Sequence, residues 1–403
     1  MLCIFLKRHK TNLMKNFTIL FCILISVSAM AQLTITNGNH TLEISGGISG
    51  YYNARNLKSG EFDNSKDRFR LRDAQLQLEG RIGKIYEYDL QVDFADIVAN
   101  SANTAPDPEN PGLMEAKIKY KGLGFMDVEF GYGKLYYSRN TMVPFSQSVF
   151  WQRPDLVSGN LFSQRDVGVT IIKNFYDQRV NAYLGMYTGL GEISILGDND
   201  PSGKLEYVGR VDFSYPAKFR YRDIDDKISP VPMFSIGING RYANKSLPDG
   251  SVFPAFSQGA YGMKVVNGKK YVYGFDAAFQ YMGFSAQFEM HQIKGEPKPD
   301  NDILFNNLTK AQTKGYFLSG GYVAQVNYFA KSIKTVISAR YEELDINDLV
   351  KGNSRRFSPA IGYQLDGFDA MIKFQYFNII KEESIDPFKW NEQFRIGFQM
   401  NFK

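Results

Sequence analysis

The stretch "EQFRIGFQMNFK", Glu392–Lys403, ends the chain, and its residues alternate in character. One parity is polar or glycine, and the other is apolar, consisting of Phe394, Ile396, Phe398, Met400 and Phe402. Alternation with period two is the pattern of a β-strand that has one dry face and one wet face. Most domains leave their last residues loosely ordered, so a well-patterned final strand indicates that this strand has a partner elsewhere in the chain.

The first 31 residues have the pattern of a secretory signal peptide. A basic stretch precedes the apolar run Phe17–Val27 and the small-residue sequence "SAMA", which predicts cleavage before Gln32. Met14 is an alternative start, and the apolar run is shorter than the roughly 20 residues of a membrane helix. Both cysteines lie in this segment, so the mature chain is predicted to contain no thiol.

The charge balance changes when this segment is removed. The segment holds four of the 47 Lys and Arg residues and none of the 42 Asp and Glu residues, so the remainder is almost neutral. A chain without excess positive charge gives no reason to expect a nucleic-acid partner.

Alternation and turn residues together predict sixteen strands, and no stretch shows clear helical periodicity. The predicted strands are 42–53, 69–81, 85–95, 114–121, 126–137, 165–175, 179–189, 204–216, 231–243, 270–280, 283–294, 314–328, 333–344, 355–365, 368–379 and 392–402. They are longer than ordinary strands of about five or six residues. Their length matches the roughly 9–11 residues of a tilted membrane-spanning strand.

The connections between these strands alternate in length. Those after even-numbered strands are mostly tight turns, with the exception of 217–230, "KFRYRDIDDKISPV". Those after odd-numbered strands are long, at 54–68, 96–113, 138–164, 190–203, 244–269, 295–313, 345–354 and 380–391. This parity predicts an all-β fold, a transmembrane antiparallel β-barrel of about 16 strands with short periplasmic turns and long extracellular loops, in a single domain over 32–403.

The number of strands decides which face meets lipid. Side chains cannot fill a lumen enclosed by sixteen strands, so the apolar parity is predicted to face outward. It contains Tyr86, Tyr88, Leu90, Val92 and Phe94; Met114, Ala116, Ile118 and Tyr120; and Phe368, Ala370, Ile372, Phe374 and Tyr376. Closure requires the last strand to pair with the first, Leu42–Asn53, because free strand edges are not tolerated in lipid.

Several stretches resemble the phosphate-selective porin O/P family. They are "FRLRDAQLQLEGRIGKIYEYDLQVDFA", "AKIKYKGLGFMDVEFGYGKLYYSRNTM" and "RDVGVTI", with Gly133-Lys134-Leu135 and Pro144-Phe145 as imperfect versions of two family motifs. The resemblance implies a sixteen-stranded outer-membrane porin, commonly a trimer, that passes anions such as phosphate by diffusion. Outer-membrane lipid and lipopolysaccharide are the expected surroundings.

The third long connection, 138–164, is the predicted constriction. A connection of this length tends to be functional, and the resemblance implies that it folds into the lumen. It carries Arg139 and Arg153, and Arg165 begins the next strand. The alternative is a surface loop whose arginines contact only water or lipopolysaccharide.

Strand parity adds further lumen-facing cations as candidates for contact with anions. They are Arg70, Arg72, Lys117, Lys119, Lys121, Arg210, Arg241, Arg340 and Arg395. Rings of such groups build anion pores. The same wall carries Glu87, Asp89, Asp93, Glu115, Asp127, Glu129 and Asp166, so each cation is alternatively a member of a charge network.

Signals for catalysis, a cofactor or a metal are weak. His40 and His291 are the only histidines after the signal segment, and His291 stands alone on a strand with inward parity. We therefore expect no enzyme, no cofactor and no metal centre, although the acidic turns 107–111 and 198–203 could hold calcium weakly. A rival function is a surface-binding or adhesion barrel that acts through its long loops, without an N-terminal plug because the first strand follows the cleavage site closely.

Overall fold

The computed structural model describes most of the chain after the predicted signal segment. The described residues are 33–58, 67–95, 112–157, 163–191, 203–246, 266, 268–297, 303–305, 308–309, 315–345, 348, 353–381 and 390–402. Among them, no helix is long and apolar enough to cross a membrane.

The described residues form nineteen strands. In chain order they are β1 Leu33–Asn37, β2 His40–Lys58, β3 Arg68–Ile82, β4 Tyr86–Asp93, β5 Leu113–Tyr120, β6 Asp127–Lys134, β7 Arg165–Phe175, β8 Val180–Tyr187, β9 Glu206–Tyr215, β10 Met233–Asn244, β11 Gly268–Tyr281, β12 Phe284–Pro297, β13 Ile303–Phe305, β14 Leu308–Thr309, β15 Phe317–Ala330, β16 Thr335–Asp345, β17 Asn353–Asp366, β18 Ala370–Lys381 and β19 Trp390–Phe402.

Sixteen of these strands close into one antiparallel barrel. Each barrel strand pairs with the barrel strand before it and the one after it, so β12 pairs directly with β15. The last strand, β19, pairs with β2 over thirteen positions, from Trp390 opposite Lys58 to Phe402 opposite Gly46. The final strand therefore has the partner that its pattern required. The short β1 pairs with the start of β2, and β13 and β14 form a separate small ribbon.

The outside of the barrel is apolar and the inside is polar. In β9 the exposed side chains are Tyr207, Val211, Phe213 and Tyr215, whereas the buried ones include Glu206, Arg210, Asp212 and Ser214. A water-soluble barrel would place these sets the other way round. The prediction that the apolar parity faces outward is therefore confirmed for β9, and the other strands follow the same rule with the exceptions given below.

All sixteen predicted strands are confirmed, and one of them, 165–175, has the same bounds in the structure. The largest shift is in β2, which extends beyond the predicted 42–53 at both ends. β1 and the pair β13 and β14 were not predicted. These elements are too short to show a clear alternation in the sequence.

Bulges in β3 and β5 interrupt the alternation of residues that line the interior. In β3, Arg72 and Asp73 both lie inward because Ser49 pairs with Asp73 and Gly50 pairs with Leu71. A bulge adds one residue to a strand and shifts the facing of the residues that follow.

The second bulge corrects a prediction. Met114 was expected to face lipid, but Gln91 pairs with Glu115 and Val92 pairs with Leu113, which leaves Met114 as the extra residue. Its side chain is buried, and its Sδ lies 3.4 Å from Nε2 of Gln75.

Phe368 was also predicted to face lipid, and this prediction is wrong. β18 begins at Ala370, so Phe368 belongs to the preceding turn, where strand alternation does not apply. Its side chain packs inward against a buried cluster that contains Met371 and Val149.

The connections at one rim are short. The turn Met282-Gly283 has positive φ at both residues, as in the two-residue turns that join twisted hairpin strands. The connections 83–85, 176–179, 331–334 and 367–369 lie at the same rim. The exception is 216–232 between β9 and β10, close to the predicted 217–230.

Candidate functional site

The connection after β6 folds into short helical turns. Ser138 caps a one-turn helix, Arg139–Met142, by accepting a hydrogen bond from the backbone N–H of Thr141 at 3.3 Å. Pro144 follows the helix and cannot extend it, because proline lacks a backbone N–H. Two 3₁₀ turns, Phe145–Gln147 and Asp155–Val157, continue the segment. We call residues 135–157 the inner loop.

The inner loop lies inside the barrel and contacts strands far from β6. The backbone N–H of Asn140 donates to Glu289 of β12 at 2.9 Å, and that of Trp151 donates to Gln375 of β18 at 2.7 Å. Gln399 of β19 donates to the backbone oxygen of Ser146 at 2.6 Å. These partners are inward-facing side chains, so the described part of the predicted loop occupies the lumen.

Inward-facing arginines hold the chain of the inner loop. Arg210 donates to the backbone oxygen of Tyr137 at 2.9 Å, and Arg340 donates to that of Gln152 at 3.0 Å. Arg72 donates to the backbone oxygen of Trp151 at 3.2 Å. These guanidinium groups therefore supply hydrogen-bond donors to backbone carbonyls of the inner loop.

Arg241 and Arg395 act in the same way. Arg241 donates to the backbone oxygen of Ser163, beyond the inner loop, at 2.9 Å. Arg395 donates to the side-chain oxygen of Gln152 at 2.7 Å. Both arginines therefore fasten the connection between β6 and β7 to the wall.

Carboxylates on the same wall neutralise several of these arginines. Arg210 pairs with Asp276 through two bonds of 2.5 and 3.0 Å, and Arg241 pairs with Glu206 at 2.9 Å. Arg139 lies 3.6 Å from Asp276 and is fully buried. Burial lowers the pKa of the Arg139 guanidinium, and the charge of Asp276 opposes that effect. This side of the interior is a packed charge network.

Open space remains along the wall formed by β2 to β7. Two cavities of about 260 and 240 Å³ lie there and share Glu79, Asp89 and Lys117 in their lining. We call them together the passage. Because three lining side chains are common to both, the two cavities adjoin along this wall beside the inner loop.

The proportion of cations to carboxylates changes along the passage. β3 runs from the long-loop rim to the short-turn rim, so Arg72 lies nearer the first and Glu79 nearer the second. The charged lining of the loop-side part is Arg72, Lys117, Lys134, Arg153 and Arg165 against Asp73, Glu79, Asp89 and Glu115. The turn-side part is lined by Glu43, Glu79, Glu87, Asp89 and Glu129 against Arg81 and Lys119, with Lys117 between the two parts.

Phe145 brings the inner loop to the edge of the passage. Its ring lines the loop-side cavity and has the Arg72 guanidinium 4.4 Å and the Arg153 guanidinium 5.8 Å from its centroid. Cations over an aromatic face are stabilised without an added negative charge. Both arginines therefore belong to the lining of the loop-side part and contact the inner loop there.

The predicted pore cations divide into two groups. Five line the passage: Arg72, Lys117, Lys119, Arg153 and Arg165. Four are buried in the charge network or fasten the loop and line neither part of the passage: Arg139, Arg210, Arg241 and Arg395. Arg340 belongs with the second group. Arg70 is half-buried near the long-loop rim, and Lys121 is exposed just after β5, where it pairs with Glu87 at 3.1 Å; neither lines the passage.

Sequence reasoning missed Lys134 and the acidic residues Glu43 and Glu79 of the passage. Lys134 stood in a family-like motif, Gly133-Lys134-Leu135, and its position at the end of β6 next to Arg165 of β7 was the signal for a pore role. Glu43 and Glu79 had inward parity in β2 and β3 and are paired with each other across the strands.

The described residues contain no group of three or more His, Cys, Asp or Glu side chains that could hold a metal ion. His291 faces inward as its parity predicted, with its ring nitrogens 2.9 Å from the Tyr137 hydroxyl and 2.5 Å from Glu289. The acidic turn 107–111 and most of 198–203 lie outside the described residues, as does most of the loops 244–269 and 295–313.

Comparison with protein families supports the resemblance seen in the sequence. Residues 43–214 match the family described as phosphate-selective porin O and P. This region includes the strands of the passage and the inner loop. No curated protein matches the chain significantly.

Solved structures share the fold at low sequence identity. The anion-selective porin from Comamonas acidovorans has a TM-score of 0.58 at 10% identity, with 90% of this chain and 100% of that chain covered. OprB of Pseudomonas putida has 0.56 at 13%, with 90% and 94% covered. The trimer form of in-vitro folded OmpT from Vibrio cholerae has 0.53 at 10%, with 90% and 99% covered. At these identities the comparison shows the porin fold.

Proposed function

We propose that this chain forms a passive, water-filled channel of the bacterial outer membrane for small hydrophilic solutes, with a preference for anions such as phosphate. The observation that carries the proposal is a closed barrel with an apolar exterior and two adjoining cavities with charged lining in its interior. The match to the phosphate-selective porin family supports it.

The preference for anions rests on the loop-side part of the passage. Five cations face four carboxylates there, and two of the cations are positioned over Phe145. Fixed charges in a narrow channel with low-dielectric walls concentrate ions of opposite sign. The cations outside the passage contribute to the loop structure and less to selection.

The cellular location and the assembly of the chain belong to the same proposal. Residues 1–31 would act as the export signal and 32–403 as the barrel domain, in the outer membrane of a Gram-negative bacterium. Membrane lipid and lipopolysaccharide would cover the exterior, where aromatic residues such as Tyr207 and Tyr215 are exposed. A homotrimer is the proposed assembly, as in the trimer form of the Vibrio cholerae neighbour. The family and the fold are known as channels, which favours transport over catalysis.

Liposome swelling tests the proposal. Refolded protein lacking residues 1–31 is placed in liposomes, which are then diluted into glucose, sucrose, gluconate or glucosamine. We expect rapid swelling with glucose, slower swelling with sucrose, and faster swelling with gluconate than with glucosamine. Liposomes without protein serve as the control. Protein that is folded, as shown by heat-modifiable gel mobility, but causes no swelling would contradict the proposal.

A further inference from the structure

The connection 216–232 breaks the short-turn rule and is buried. Phe219 and Ile224 are 5% and 0% exposed, and the carboxylates of Asp223 and Asp225 are also buried. Connections at a barrel rim ordinarily lie in water. This one turns into the lumen from the rim opposite to the long loops, so the barrel interior receives a segment from each end.

The wall of the barrel fixes the middle of this connection. The backbone oxygen of Asp223 accepts hydrogen bonds from Ser285 of β12 and Asn327 of β15, each at 2.7 Å. The side chain of Asp223 accepts a third from Gln287 at 3.0 Å. All three donors are inward-facing, so the segment lies against the inner surface of β12 and β15.

A neighbouring tight turn fixes the end of the connection. Asp225 accepts hydrogen bonds from the backbone N–H of Ser229 at 2.9 and 3.0 Å and from that of Gly283 at 2.9 Å. Met282 in turn donates to the backbone oxygen of Ser229 at 3.0 Å. These bonds place the connection at one position in the lumen.

The connection also supports the inner loop. The Arg139 guanidinium lies 4.8 Å from the ring centroid of Phe219 and 5.5 Å from that of Tyr221. Ile224 belongs to the buried apolar cluster that contains Val149 and Phe150 of the inner loop. The two segments that enter from opposite rims therefore meet inside the barrel.

We infer that residues 217–230 form a second constriction element, which closes the interior beneath the inner loop and confines permeation to the passage along β2 to β7. This inference rests on the proposed channel function and extends it. The segment has contacts to β9, β12 and β15, whereas the passage lining comes from β2 to β7, β19 and the inner loop. Removal of the segment should open a second route on the opposite side of the lumen.

The first test replaces residues 216–233 by Asn-Gly, because Tyr215 pairs directly with Phe234 and this dipeptide favours a two-residue hairpin turn. We expect the unit conductance in a planar bilayer to rise at least twofold, with more open-channel noise because the inner loop has lost its support. Swelling of liposomes in sucrose should also become faster.

A second variant tests the same inference if the turn replacement does not fold. Ile224→Asp places a charge in the apolar cluster beneath the inner loop and should raise both conductance and noise by a smaller amount. Lys227→Ala is the matched control, because this side chain is 76% exposed and belongs to the same segment. Heat-modifiable mobility establishes folding of each variant.

The outcomes separate the two proposals. Wild-type conductance and noise in folded turn-replacement and Ile224→Asp proteins would overturn the inference and leave the channel function standing. A wild type that does not conduct, together with a turn replacement that does, would show that the segment closes the interior but would contradict both the proposed passive channel and permeation along the passage.

Discussion

Lys134 is one of the cations that line the loop-side part of the passage. A unit charge about 8 Å from an ion changes its energy by about 0.5 kcal/mol in water, or roughly twofold in occupancy. We therefore expect Lys134→Gln to lower the chloride-to-potassium permeability ratio by about twofold. Reversal potentials under a KCl gradient measure the ratio. Lys331→Gln, at an exposed short turn, is the control and should leave the ratio unchanged.

Asp276 holds the charge network on the closed side of the lumen. It pairs with Arg210 and lies 3.6 Å from Arg139, and all three side chains are buried. Loss of one partner from a buried ion pair typically costs about 3–5 kcal/mol. We expect Asp276→Asn to lower the free energy of unfolding by an amount of this order, measured by urea unfolding of the refolded protein in detergent. A free energy of unfolding equal to that of the wild type would show that this charge network does not stabilise the fold.

At this scale, sequence parity correctly placed residues such as Arg210 and Arg340 on the inner face. It could not assign their roles, because their loop partners are distant in the chain. Arg210 binds the carbonyl of Tyr137, 73 residues away, and Arg340 binds that of Gln152, 188 residues away. A period of two in the sequence contains no information on such contacts.

Single strands were predictable because alternation is a local property of each strand. A bulge caused one of the two errors in facing, at Met114. The extra residue at Met114 is visible only from the pairing of β5 with β4, where Val92 is opposite Leu113. The length of 217–230 identified it as an exception to the short turns. The sequence could not predict that it folds into the lumen, because this depends on hydrogen bonds to β12 and β15.

β18 provides the test of facing at the scale of an element. Phe374 pairs with Ile361 and Ile396 on the outward parity, while its neighbours Lys373 and Gln375 are buried inside. A charge on the lipid face near the bilayer midplane costs about 2–4 kcal/mol. We expect Phe374→Arg to reduce the folded, heat-modifiable fraction strongly and Phe374→Leu to preserve it. Equal folding of both variants would count against the outward assignment.

The whole molecule combines a closed barrel with an interior that is filled unevenly. Closure by β19 and β2 was predictable from the terminal strand, because an unpaired edge is excluded in lipid. The division of the interior into a packed side and an open side was not predictable from the sequence. It results from contacts between the inner loop and the connection 216–232. Arg139 lies over the ring of Phe219, and Val149 and Ile224 belong to one buried cluster. These residues come together only in the folded chain.

The central claim is that the passage conducts and favours anions. The most direct measurement is the reversal potential of the wild-type protein in a planar bilayer under a KCl gradient, after steady single-channel conductance has been recorded. We predict an open channel whose reversal potential has the sign expected for chloride permeation. In the Lys134→Gln variant this potential should lie closer to zero. A reversal potential of the potassium sign would contradict the role given to Arg72, Lys134, Arg153 and Arg165, and a folded barrel without conductance would contradict the channel itself.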